Sequence, residues 1–161
     1  MVIMTCSAMT VGYGKDVTNQ LSDTYNAKYG WVGDKEQSLH QELIGSSYVL
    51  GLSVGAGLAG RLIQSGRRSA HLIAIGVGLV GVSLSLISNF YFLIGGRLIF
   101  GLAAGTLCVA GPRLTEEYCP MHLQSAFIPF YHTSIYIGSS LALFSGELLP
   151  PADDPEALKS S

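Results

Sequence analysis

Leu43 to Ile63 reads Leu-Ile-Gly-Ser-Ser-Tyr-Val-Leu-Gly-Leu-Ser-Val-Gly-Ala-Gly-Leu-Ala-Gly-Arg-Leu-Ile, with a single charge, Arg61, close to its end. A helix needs about 20 apolar residues to cross about 30 Å of hydrocarbon, so this run has the length of a membrane span. Three similar runs follow. Ala70 to Ser88 has His71 at its edge and no Asp, Glu, Lys or Arg; Phe92 to Pro112 is interrupted only by Arg97; Ala126 to Leu149 holds Glu147 near its far end. The composition agrees with a lipid environment. Of 161 residues only 12% are charged and 48% are hydrophobic, with a mean hydropathy of +0.40. Soluble domains carry about 25% charged residues, so half the usual charge is missing. Most of the 20 glycines lie inside the apolar runs, where small residues let helices approach closely in lipid. The fold class is therefore an all-α integral membrane protein, with the lipid bilayer as its solvent.

The flanks complete the layout. Met1 to Tyr13 is apolar but would cover only about 20 Å as a helix. No Lys or Arg precedes Lys15, which argues against a secretory signal with its basic leading region. The segment reads as the second part of a membrane helix whose start lies outside the sequence. Gly14 to Glu42 carries Lys15, Asp16, Asp23, Lys28, Asp34, Lys35 and Glu36 and reads as a solvent loop. Pro150 to Ser161 reads as a polar tail. The expected organisation is one membrane unit over 1–149, with helices at about 1–13 (partial), 43–63, 70–88, 92–112 and 126–149, followed by the tail 150–161. Basic residues in short loops mark the cytoplasmic side. Gln64 to Ser69 holds Arg67 and Arg68 beside Arg61, Asn89-Phe90-Tyr91 holds none, and the next connection holds Arg113 and His122. The arginine-bearing loops are thus expected on the cytoplasmic side.

Several function classes are disfavoured. A net charge of −2 offers no basis for nucleic-acid binding. Cys6, Cys108 and Cys119 lack metal or disulfide spacing. No nucleophile elbow or phosphate loop is present, so neither an enzyme nor a cofactor is expected. Gly55-Ala56-Gly57-Leu58-Ala59-Gly60 lies at the end of a membrane span rather than between a strand and a helix, which removes a dinucleotide-binding reading.

Two stretches carry a resemblance. Gly60-Arg61-Leu62-Ile63-Gln64-Ser65-Gly66-Arg67-Arg68 resembles the loop signature of the major facilitator superfamily, roughly G-x-x-x-D-R-x-G-R-R. Gly96-Arg97, Gly101, Gly105, Pro112, Leu114, Glu117 and Pro120 keep the spacing of the fourth-helix signature of its sugar porters: G-R, then G-x-x-x-G, then P-x-Y-x-x-E-x-x-P. Gly12-Tyr13 looks like the Gly-Tyr of their first helix. The resemblance covers nearly the whole chain. It implies part of a six-helix N-terminal bundle in a transporter that carries a hexose or another small polar solute by alternating access, here as a truncated chain. The alternative is a membrane protein that no longer transports and has a structural or interaction role. The sequence departs from the pattern at Ile63, in place of an acid, at Gln64, Ser65 and Gln124, in place of the usual residues including two arginines, and at Gly14, where proton-coupled relatives carry an aspartate.

The resemblance also assigns residues. Arg67, Arg68 and Glu117 correspond to a cytoplasmic charge network; positive-inside anchoring is the plainer reading of the two arginines. His132 falls where sugar porters place a sugar-binding glutamine, and a histidine both donates and accepts hydrogen bonds. A histidine satisfied between helices is the other reading. Ile135, Tyr136 and Ser139 follow within two turns and join it as candidate substrate-binding residues. Arg97 is the remaining candidate. Arginine at mid-membrane costs about 2.5–3.5 kcal/mol on insertion scales, so it needs a partner or a wet cavity, unless it snorkels to the surface. Gly51 and Gly55 on one span, and Gly101 and Gly105 on another, are each four apart and read as close-packing faces.

Overall fold

The structure is a computed structural model, and it describes residues 2–20, 34–64, 66–85, 87 and 89–147. The described residues form five helices and no strand: α1 (Val2–Gln20), α2 (Asp34–Gln64), α3 (Arg67–Ser85), α4 (Phe90–Tyr118) and α5 (Met121–Glu147). Ser38–Gln64, Arg67–Ser85 and Phe90–Tyr118 are long and apolar enough to cross a membrane.

The helices outrun the apolar runs. α1 continues seven residues past Tyr13 to Gln20, and α2 begins at Asp34, nine residues before Leu43. Both ends of the stretch read as a solvent loop, Gly14 to Glu42, are thus helical. Likewise α4 runs six residues beyond Pro112, and α5 starts five residues before Ala126. The physical reason is that hydropathy marks the hydrocarbon slab, whereas a helix ends only where its backbone hydrogen bonds end. The tail 150–161 and the middle of the first loop lie outside the described residues.

α2 ends at Gln64 and α3 begins at Arg67, and Gly66 makes the connection. Gly66 has φ of 129°, a region where a Cβ is strained and glycine is the natural choice. Its N–H donates to the Ile63 carbonyl (3.1 Å), and its own carbonyl accepts from Ala70 N–H (2.9 Å). The first backbone groups of α3 thereby gain partners where Arg67 begins the helix.

α4 is the hub. It packs along both α2 and α3, while α1 packs along α5; α4 meets α1 and α5 over shorter stretches. Glycines set each long contact. On α2 and α4, Gly51 lies against the backbone of Leu98 and Gly101, Gly55 against Leu102, and Gly105 against Leu52 and Ala56. Gly81 and Gly96 meet between α3 and α4, while Gly12 opposes Ile135 and Gly138 opposes Met9 between α1 and α5. A Cβ at any of these positions would overlap backbone atoms of the partner helix. Lipid tails are as apolar as leucine, so van der Waals contact between closely approaching backbones supplies much of the association energy here. Thr106 adds a polar link, its hydroxyl lying 3.3 Å from the Gly55 carbonyl. Large apolar side chains such as Leu50, Leu72, Leu79 and Phe144 point outward, the reverse of a soluble domain and the natural arrangement in lipid.

Candidate functional site

One end of the bundle is charged. Arg67, the first residue of α3, forms an ion pair with Glu117 in the last turn of α4. Beside it, Arg68 Nε donates to the Tyr118 hydroxyl, and its guanidinium carbon lies 5.0 Å from the centre of that ring. Arg113 reaches Glu116 at 3.7 Å on the same helix. Gln124 closes the turn into α5, its amide donating to the carbonyls of Glu116 (2.8 Å) and Cys119 (3.2 Å). The short α2–α3 turn places Arg67 and Arg68 here, and the last turns of α4 bring Glu117 and Tyr118 to meet them. Arg67 and Glu117 are both more than a third exposed, so water screens the pair; such exposed pairs are worth about 0–1 kcal/mol each.

Arg97 occupies the opposite half of α4. It is only 7% exposed, and its Nη1 donates to the Gly14 carbonyl of α1 at 2.8 Å. The guanidinium is therefore turned into the protein rather than snorkelled to the surface. Phe100, one turn on, packs where a side chain at position 14 would sit and stacks on Tyr48, with ring centroids 6.1 Å apart. Glycine at 14 thus admits Phe100 while its carbonyl holds Arg97, joining α1 to the hub.

The α5 residues divide into two sets. His132 and Tyr136, four apart, lie exposed on the surface left open by the five helices, and Tyr136 is 71% exposed. His132 has its ring edge-on to Tyr131, centroids 5.9 Å apart. Ile135 and Ser139 turn toward α1: the Ile135 backbone faces Gly12, and the Ser139 hydroxyl lies 3.4 Å from the Gly12 carbonyl. The fold therefore brings His132 and Tyr136 to one open face, sets Ile135 and Ser139 at its edge, and holds Arg97 between α1 and α4.

An apolar cavity of about 310 Å³ opens between α1, α3 and α4, lined by residues such as Cys6, Val11, Ala74, Leu79 and Ala103. None of the sequence-predicted residues lines it. A polar solute needs converging hydrogen-bond groups, so this cavity does not suit one.

Three polar contacts were not legible in the sequence. Tyr118 as partner of Arg68 lies 50 residues away in the chain. His71 pairs with Ser7 through Nε2, 3.3 Å from the hydroxyl, across 64 residues. Tyr131 reaches the Leu107 carbonyl at 3.0 Å. Each joins residues whose spacing carries no motif.

The chain matches the family model described as "Sugar (and other) transporter" over residues 1–150. It is 28% identical over 152 residues to "Hexose transporter 1" of Plasmodium knowlesi, covering 90% of this chain and 30% of that protein. It is 30% identical over 106 residues to "Hexose transporter HXT13" of Saccharomyces cerevisiae, covering 64% and 19%. "Glucose transporter 2C" of Trypanosoma brucei brucei is 28% identical over 117 residues, covering 70% and 35%. The chain therefore spans between 19% and 35% of the length of these relatives. With a family match over nearly its whole length and three membrane-length apolar helices, it is a multi-pass integral membrane protein that belongs to the sugar (and other) transporter family.

Proposed function

We propose that these five helices are part of the first of two six-helix bundles in a sugar porter, which carries a hexose or a similar small polar solute by alternating access. The observation that carries this reading is the family match over residues 1–150. That relatives are named for hexose and glucose transport adds to it. In this class of carrier, two bundles rock about a site near the membrane midplane. His132, Tyr136, Ile135 and Ser139 supply the sugar-facing strip from α5, with His132 both donating to and accepting from hydroxyls. Arg97, held by the Gly14 carbonyl, couples α1 to α4. Arg67, Arg68 and Glu117 form the cytoplasmic clamp, with Tyr118 completing it. The clamp lacks the acid and the first arginine of the family pattern, since Ile63 and Gln64 stand there. It opens more easily for that reason.

The test is uptake. The full-length protein that carries this segment, reconstituted in liposomes, gives saturable hexose influx that unlabelled hexose competes away. The 161-residue chain alone gives none, because the facing bundle that completes the cavity is not in it. Failure of the full-length protein to move any hexose above empty vesicles overturns the substrate assignment.

A further inference from the structure

Tyr131 is buried at the junction of three helices, 3% exposed, packed with Met4 and Ala8 of α1 and Leu114 of α4. Its hydroxyl donates to the Leu107 carbonyl of α4 at 3.0 Å. A carbonyl has two lone pairs, one of which the α-helix leaves free, so this bond adds to the backbone bonding of α4 rather than competing with it. The Tyr131 ring lies over Gly111, where a methyl group would overlap it. Pro112 follows Gly111 in α4, and Pro129 precedes Tyr131 by two residues in α5. A proline inside a helix removes a backbone hydrogen bond and loosens the helix around it. Both helices are therefore weakest where Tyr131 ties them.

Gln124 lies seven residues before Tyr131, two turns back on the same face, and bonds to the Glu116 and Cys119 carbonyls. The two side chains form a line of fastenings along one edge of α5. Two fixed points on one edge determine the rotation of a helix about its own axis, and His132 projects from the very next residue. We infer that Tyr131 is a positioning residue: its hydrogen bond to Leu107 and its seat on Gly111 fix the rotation of α5 that presents His132 to the solute. The inference rests on the reading of His132 as a solute-facing group.

Two measurements on the full-length protein test it. Tyr131→Phe keeps the ring on Gly111 and removes only the hydroxyl, and the Leu107 carbonyl keeps its place in the helix, so membrane abundance and maximal rate stay near wild type. The lost bond permits rotation, and KM for hexose rises about two- to tenfold, the range a single net hydrogen bond allows. The second readout needs no sugar. With Cys6, Cys108, Cys119 and every cysteine outside this segment replaced by serine, the rate at which a hydrophilic maleimide labels His132→Cys changes at least twofold when Tyr131→Phe is added. A labelling rate unchanged within twofold overturns the proposal whatever happens to uptake. A changed rate with unchanged KM also overturns it, unless His132→Leu leaves KM untouched as well; that outcome sinks the sugar reading of His132 and leaves the tether standing.

Discussion

Gly101 sits where α2 and α4 come closest, and replacing it with alanine measures what that approach contributes. A Cβ there would overlap the Tyr48 carbonyl oxygen and lie 3.1 Å from the Gly51 Cα. These are backbone atoms, which cannot rotate out of the way as a long side chain would, so the two helices must part. Overpacking by one methyl in a tight interior costs about 1–3 kcal/mol. Alanine also gains about 1 kcal/mol of helix propensity over glycine, which partly hides the strain. Gly57→Ala supplies the control. Gly57 lies on the same helix as Gly51, and an added Cβ there meets nothing within 4 Å. The propensity gain is common to both variants, so the difference between them isolates the strain and equals about 1–3 kcal/mol. Thermal unfolding of the full-length protein in detergent reads this difference, with Gly101→Ala melting lower and Gly57→Ala at or above wild type. Because Gly51 faces Gly101, the double variant Gly51→Ala/Gly101→Ala loses less than the sum of the singles, since helices already parted accept the second methyl. Equal melting of Gly101→Ala and Gly57→Ala would refute the close-approach argument.

Two further outcomes follow from the same geometry. Ser69→Cys in the first turn of α3 and Tyr91→Cys in the first turn of α4 label from opposite sides of the membrane, the Ser69 side being cytoplasmic; labelling from one side ends the orientation argued from Arg67, Arg68 and Arg113. In the full-length protein, His132→Gln retains hexose transport while His132→Leu raises KM by about five- to a hundredfold at near-normal abundance; an unchanged KM in His132→Leu removes His132 from the site.

Where the sequence reading and the fold part company, the reason lies in what hydropathy can register. Apolar runs report the slab of hydrocarbon, so the runs from Leu43, Ala70 and Phe92 found the bodies of α2, α3 and α4. Polar residues that continue a helix into water have no such mark, which is why Lys15, Asp16 and Glu42 read as loop although they lie on α1 and α2. The small-residue faces were equally visible, since Gly51 and Gly55, or Gly101 and Gly105, stand one turn apart. Their partners were not. A glycine face states that a backbone comes near without stating whose, and chain order misleads here. The neighbours α2 and α3 follow each other closely in the chain yet hardly touch along their lengths, because both are taken up by α4.

The candidate site divides along the same line. Arg67, Arg68 and Glu117 are grouped only through the resemblance; in the fold a short turn and a helix end bring Arg67 to Glu117 and Arg68 to Tyr118. Arg97 is legible as a residue in need of a partner, because a buried guanidinium must be satisfied. That the partner is the Gly14 carbonyl is a property of the fold, since any backbone oxygen serves and none is encoded by a side chain. The same holds for Tyr131 and the Leu107 carbonyl. In lipid, backbone carbonyls are among the commonest hydrogen-bond acceptors left to a side chain, and they are silent in a sequence. The side chains that seek them are not: a buried tyrosine or arginine within an apolar run predicts a helix crossing at that depth, and only the fold names the helix crossed.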